Sequence, residues 1–162
     1  MYNRRVSKSH LRVEAYGAVD ELHAALGLAR ASARHPFVSD RLLQMQKALV
    51  PLMGELATQP EDLPRYARDG FNLVSPEMTA QLDRMVAEIE AQKAAGQGWA
   101  TPGANLSAAT LDLARTACRR AERRVCALQE INQLHNREIL VFLNRLSDTL
   151  WLLARWAEGQ PL

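Results

Sequence analysis

The sequence predicts an all-α protein, an up-and-down bundle of five helices. Apolar residues recur at spacings of three and four in five separate stretches, as in helices with one buried face. No stretch alternates apolar and polar residues as a strand would. Short links between long amphipathic segments favour antiparallel neighbours.

The first helix is predicted over residues 11–30, where Val19, Leu22, Leu26 and Ala29 form the apolar stripe. Residues 31–38 connect it to a second helix over 40–57, with Ser39 as the expected N-cap and Leu42, Met45, Leu49, Leu52 or Met53, and Leu56 facing inward. Pro60, Pro64 and Gly70 break periodicity through residues 58–75. Ser75-Pro76-Glu77 starts a third helix, with Ser at the cap, Pro in the first turn and an acid at the positive end of the dipole. Leu82, Met85 or Val86, and Ile89 are its stripe, and it ends near Ala94. Residues 96–106 are Gly- and Pro-rich and carry Trp99. A fourth helix over 107–129 buries Leu111, Cys118, Val125 and Leu128. The fifth, over 132–157, buries Ile139, Leu143, Leu146, Leu150 and Leu153, while Arg137, Asn144, Asp148, Trp151 and Arg155 trace a second, polar stripe.

At 162 residues the chain makes one domain, 1–162, with room for a true core. Net charge is +2, which argues against a dedicated nucleic-acid binder, because basic residues there outweigh acids strongly. No apolar run approaches the ~18 residues that cross a bilayer, and the N-terminal residues lack the apolar core of a signal peptide. Cys118 and Cys126 lie about 12 Å apart if both are on one helix, too far to bridge each other. Two reduced packing cysteines suit a cytoplasmic protein.

One stretch carries chemistry. Arg115 to Arg124 holds five arginines and one glutamate in ten residues. On a helix, Arg115, Arg119 and Glu122 share a face, and Arg120, Arg123 and Arg124 spread over its neighbours. A guanidinium is always charged and presents a planar fork of donors. A cluster of one sign repels itself unless an anion or a set of carboxylates offsets it. The candidates are a polyphosphate, a nucleic-acid backbone or the acids of another subunit. Asn144 and Asp148, one turn apart in the last helix, could face the cluster, and Asp20 in the first helix needs a cation. No P-loop or GxGxxG glycine pattern is present, the histidines lack metal-site spacing, and no nucleophile elbow occurs.

Three segments resemble the PduO-type ATP:cob(I)alamin adenosyltransferases: Arg12-Val-Glu-Ala-Tyr-Gly-Ala-Val-Asp-Glu-Leu22, Arg115-Thr-Ala-Cys-Arg-Arg-Ala-Glu-Arg-Arg-Val125, and Phe142-Leu-Asn-Arg-Leu-Ser-Asp148 followed by Leu153-Ala-Arg155. The resemblance runs from about residue 4 to 158. It implies a ferritin-like five-helix bundle that assembles as a homotrimer with active sites between subunits. The implied reaction moves the 5′-deoxyadenosyl group of ATP to the cobalt of cob(I)alamin and releases triphosphate, with Mg²⁺ accompanying ATP. The resemblance gives Arg119 and Arg123 to the phosphates, with Arg120 and Glu122 in the same ATP-contacting segment and Lys8 and Asn144 as further ATP contacts. Arg115 would pair with Asp20 across the subunit interface. Trp99 would exclude the lower axial base of cobalamin, and Asp148 would lie near the corrinoid.

Three departures from the family pattern stand out: His23 where Asn is usual, Ala104 after Gly103 where Gly-Gly is usual, and the start of the chain. The family's Thr-Gly-Asp-x-Gly loop, which wraps the triphosphate, would precede Arg5-Val-Ser-Lys8. Either the sequence is a truncated form of a longer chain, or it is a natural paralogue without the loop; the second case gives a rival expectation, a cobalamin-binding or regulatory paralogue with impaired turnover.

Overall fold

A computed structural model describes residue 2, residues 4–92 and residues 100–160. Its long helices are α1 (Leu11–Ser32), α2 (Pro36–Leu56), α4 (Pro76–Glu90), α5 (Leu106–Glu130) and α6 (Glu138–Glu158). These are the five expected from the periodicity. A 3₁₀ turn (Pro60–Asp62) and a six-residue helix, α3 (Leu63–Arg68), occupy part of the stretch read as irregular. No strand occurs among the described residues.

The packing order differs from the chain order. α5 lies between α1 and α6, α2 covers α1, and α4 covers α6. The predicted stripes are the core: Val19, Leu22, Leu26, Leu42, Leu49, Leu111, Val125, Leu143, Leu146 and Leu150 are fully buried. Burying one such leucine stabilises the fold by roughly 1.5–3 kcal/mol. α5 buries the small residues Ala108, Ala114, Ala117 and Ala121, and small residues let helix axes approach closely.

Two boundaries differ from expectation. α2 begins one turn early, because the His35 ring, through Nδ1, accepts the N–H of Phe37 at 3.1 Å and Pro36 fills the first turn. Ser39 is therefore not the cap; its hydroxyl donates to the carbonyl of Pro36. His10 caps α1 in the same manner, accepting from the N–H of Arg12 at 3.1 Å. At the other end, α6 begins at Glu138 rather than 132. Asn132 adopts φ +57°, and the N–H of Gln133 donates to Leu128 O at 2.8 Å. That left-handed residue closes α5 and leaves a loop before α6.

Two charged side chains are buried where the loops converge. Arg12 donates through Nη1 to the carbonyls of Leu56 and Thr58 (3.0 and 3.2 Å) and through Nη2 to that of Gln133 (2.7 Å). It ties the start of α1 to the end of α2 and to the α5–α6 loop. Glu55 accepts the N–H of Val74 at 2.7 Å, and Asn136 donates to Val74 O at 2.8 Å. Burial pushes the Glu55 carboxyl above the ordinary glutamate range, opposed by the N–H of Val74 and the side chain of Asn136.

A carboxyl whose folded value is raised favours folding at low pH. That contribution is lost as pH rises from the unfolded value through the folded one. Urea melts should therefore show wild type losing stability relative to Glu55→Gln as pH climbs above the ordinary glutamate range. A difference between the two that does not change with pH would contradict this.

Candidate functional site

The site is built on α5. Asn105 caps it: Oδ1 accepts the N–H of Ala108 at 2.9 Å, while Nδ2 donates to the carbonyl of Ala157 at 2.8 Å. One side chain thus starts α5 and fixes it against the end of α6. With Leu111, Cys118, Val125 and Leu128 turned inward, the helix must present its arginines outward. Arg119, Arg120, Arg123 and Arg124 are exposed and Arg115 is half-buried.

Not all five arginines are open. Arg120 pairs with Glu21 of α1 at 2.5 Å. Arg115 donates through Nε to Asp112 Oδ1 at 2.9 Å. No carboxylate partner occurs for Arg119, Arg123 or Arg124 among the described residues. Arg119 and Arg123 stand one turn apart, about 6 Å along the helix axis, and share a face. Beside them, Asn144 of α6 donates through Nδ2 to Glu122 Oε1 at 3.1 Å. That contact brings together two side chains that sequence reading placed in one nucleotide-contacting set. It also occupies the acid closest in sequence to the arginines.

Asp148 sits on the α4 side of α6. Arg145 joins it at 3.8 Å and reaches Asp83 of α4 at 2.7 Å. A shallow groove of about 280 Å³ opens there, lined by Val86, Glu90, Arg145, Asp148, Trp151 and Leu152. Arg119, Glu122 and Asp148 all act electrostatically on the buried Cys118 thiol. Burial raises that thiol, Glu122 and Asp148 raise it further, and Arg119 opposes them. Cys118 and Cys126 are both free thiols.

Asp20 is exposed on α1, and Lys8 is exposed just before it. Within the chain, the acid of α1 that meets the arginine helix is Glu21. Trp99 lies outside the described residues.

The polar stripe expected on α6 divides. Arg155 turns inward and its side chain is only 4% exposed. Its Nη2 donates to Asp112 Oδ2 at 2.6 Å and to Glu158 Oε1 at 2.6 Å, and its Nε donates to Glu158 Oε2 at 2.9 Å. The Arg155 guanidinium is held above its ordinary value; burial opposes its charge, and the two carboxylates outweigh burial. Asp112 was not singled out by sequence reading. Its signal was an acid set between Leu111 and Leu113, three residues before an arginine.

Among the described residues, the fold and this site define an all-helical bundle that carries, on one face of a central helix, arginines without carboxylate partners. The chain belongs to the cobalamin adenosyltransferase family, whose model matches residues 1–157. A corrinoid adenosyltransferase of Citrobacter freundii is 37% identical over 157 residues, covering 97% of this chain and 86% of that protein. The corrinoid adenosyltransferase PduO of the same organism is 38% identical over 156 residues, 94% of this chain, which spans 44% of that longer protein. Among solved structures, a variant PduO-type ATP:corrinoid adenosyltransferase from Lactobacillus reuteri complexed with cobalamin and ATP superposes with a TM-score of 0.83. It is 31% identical, over 94% of this chain and 83% of that one. A second variant of the Lactobacillus reuteri enzyme, complexed with ATP, gives a TM-score of 0.84 at 29% identity, over 98% of this chain and 86% of that one.

Proposed function

We propose that the chain is an ATP:cob(I)alamin adenosyltransferase. The observation that carries this reading is the pair Arg119 and Arg123, exposed on one face of α5 with no carboxylate among the described residues to neutralise them. Co(I) is itself a strong nucleophile, so the substrate supplies the hard chemistry and the protein supplies position and charge. The cobalt electron pair forms the bond to C5′ of ATP. The C5′–O bond breaks, and its electrons leave on triphosphate.

The charge that gathers on that leaving oxygen is what fixed cations stabilise. Arg119 and Arg123 take the phosphates, with Lys8 and Arg120 as further cations. Release of Arg120 from Glu21 is needed for it to join them. The exposed pair is worth only about 0–1 kcal/mol, a small cost against a triphosphate. Asn144 contacts the nucleotide while holding Glu122. Mg²⁺ arrives with ATP on its phosphate oxygens and supplies further charge neutralisation there.

The corrinoid lies toward Asp148, with Trp99 excluding its lower axial base. Asp20 of one copy meets Arg115 of the next, so the working unit is a homotrimer with sites between subunits. The domain is residues 1–162, and the reading places it in the cytoplasm. No helix among the described residues is long and apolar enough to cross a membrane.

Purified protein given ATP, Mg²⁺ and chemically reduced cobalamin should form adenosylcobalamin, followed by its absorbance. Absence of product at saturating ATP, with the protein folded, would overturn the reading.

A further inference from the structure

We propose that Asp112 is a positioning residue for Arg115, braced from the last helix by Arg155 and Glu158. The inference rests on the reading above in one respect: that Arg115 works at an active site shared with a neighbouring copy.

Four charges form a line across the α5–α6 seam, Glu158–Arg155–Asp112–Arg115, and they sum to zero. Asp112 is 3% exposed and Arg155 4%, so the middle of the line is out of water, while Arg115 and Glu158 at its ends are each 24% exposed. For fold stability the buried acid needs one cation, and Arg155 provides it through Oδ2. Glu158 in turn holds both Nε and Nη2 of Arg155, which locks the plane of that guanidinium. Asp112 Oδ1 is then left facing outward along α5, where it takes Nε of Arg115.

That contact has a specific consequence. A guanidinium has five N–H donors in a rigid plane. Asp112 engages the single Nε donor and leaves both Nη groups without that partner, on a side chain that is 24% exposed. No other hydrogen bond to Arg115 occurs among the described residues. An arginine on an exposed helix face otherwise samples many rotamers. Here the buried carboxylate selects one and aims its fork at whatever docks against α5, a carboxylate above all. Arg119 follows one turn later on the same face, so the line also fixes Arg115 relative to the residue given to the phosphates. A misplacement of about 1 Å near reacting groups lowers rate on the order of 100-fold.

The test combines kinetics with a direct view of the side chain. Asp112→Asn keeps the shape and removes the charge. The double variant Asp112→Leu with Arg155→Met removes both buried charges and fills the space with apolar groups, so it keeps the fold if the acid itself does not fold. Each is expected to lower kcat by roughly 10-fold to 100-fold while KM for ATP changes less than about 3-fold. In an Arg115→Lys background the Asp112→Asn loss should largely vanish, because the residue it acts through is already altered. Losses that multiply independently, or a kcat unchanged in both Asp112 variants, would overturn the proposal.

The Nε–Hε NMR signal of Arg115, assigned by its loss in Arg115→Lys, should exchange slowly with water in wild type and fast in Asp112→Asn. Fast exchange in wild type overturns the positioning whatever the activity. A wild type that forms no adenosylcobalamin overturns the functional reading instead, and the Hε signal then decides the positioning alone.

Discussion

Arg119→Ala should lower kcat/KM for ATP by on the order of 100-fold to 1000-fold, a loss of about 3–4 kcal/mol of transition-state stabilisation. Its guanidinium is exposed on α5 and makes no ion pair among the described residues. Little of the fold depends on it, and the melting temperature should change by no more than a surface substitution allows, about 0.5 kcal/mol in stability. The loss should fall mainly on kcat, because charge on the leaving triphosphate grows as the C5′–O bond breaks. Arg119→Lys should recover part of the rate, since an ammonium keeps the charge and loses the planar fork. Steady-state kinetics with both variants check this. A loss confined to KM would mean that Arg119 only holds ATP in the ground state.

Arg12→Ala should be the most damaging single change to the fold outside the apolar core. The side chain is buried at 4% exposure and feeds three carbonyls from two segments: Leu56 and Thr58 at the end of α2, and Gln133 after α5. Truncation leaves those acceptors without donors in a site closed to bulk water. The expected loss is about 3–5 kcal/mol, a fall in melting temperature of roughly 10 °C for a domain of this size. Burial disfavours the charged form of Arg12, and the charge of Glu61 opposes that effect. Arg12→Lys should rescue only part of the loss, because one ammonium cannot reach three carbonyls in a fixed fork. Melts must be compared at one protein concentration, since assembly couples to stability. Equal stability of Arg12→Ala and wild type would show that the clamp is dispensable.

The fold was legible in the sequence because the core is periodic. Val19, Leu22, Leu26 and Ala29 on α1, and Ile139, Leu143, Leu146, Leu150 and Leu153 on α6, are fully or almost fully buried, as spacing required. What escaped was decided by single side chains acting over long sequence distances. Ser39 looked like a cap on residue type alone, but His35 preceded a proline and had a ring nitrogen free to accept. Asn132 stood at the expected start of the fifth helix, but its left-handed backbone opens a loop that delays α6 to Glu138. Arg12 sat inside a matching motif and gave no hint that it caps helices 44 residues further along.

The site divides in the same way. Arg119, Arg123, Glu122 and Asn144 could be read from charge clustering and family likeness, and the structure brings Glu122 and Asn144 into contact. Arg120 was read with the ATP-contacting segment and Arg115 as a partner of Asp20 in a neighbouring copy, yet each has an acid partner inside the chain. Which arginines are left for an anion is a property of packing. α1 brings Glu21 to α5, and the turn of α5 brings Asp112 to Arg115. The Asp112–Arg115 pair follows helix spacing within α5, whereas the Glu21–Arg120 pair joins two helices and no periodicity in one helix encodes it.

The central claim is that this helix face holds ATP so that cobalt attacks C5′ and triphosphate departs whole. ATP labelled with ¹³C at C5′, incubated with Mg²⁺, chemically reduced cobalamin and the protein, tests it most directly by NMR of the products. The label is expected in a cobalt-bound methylene, with inorganic triphosphate released in equal amount. Label found instead in ADP or AMP, or left in ATP by folded protein, would contradict it.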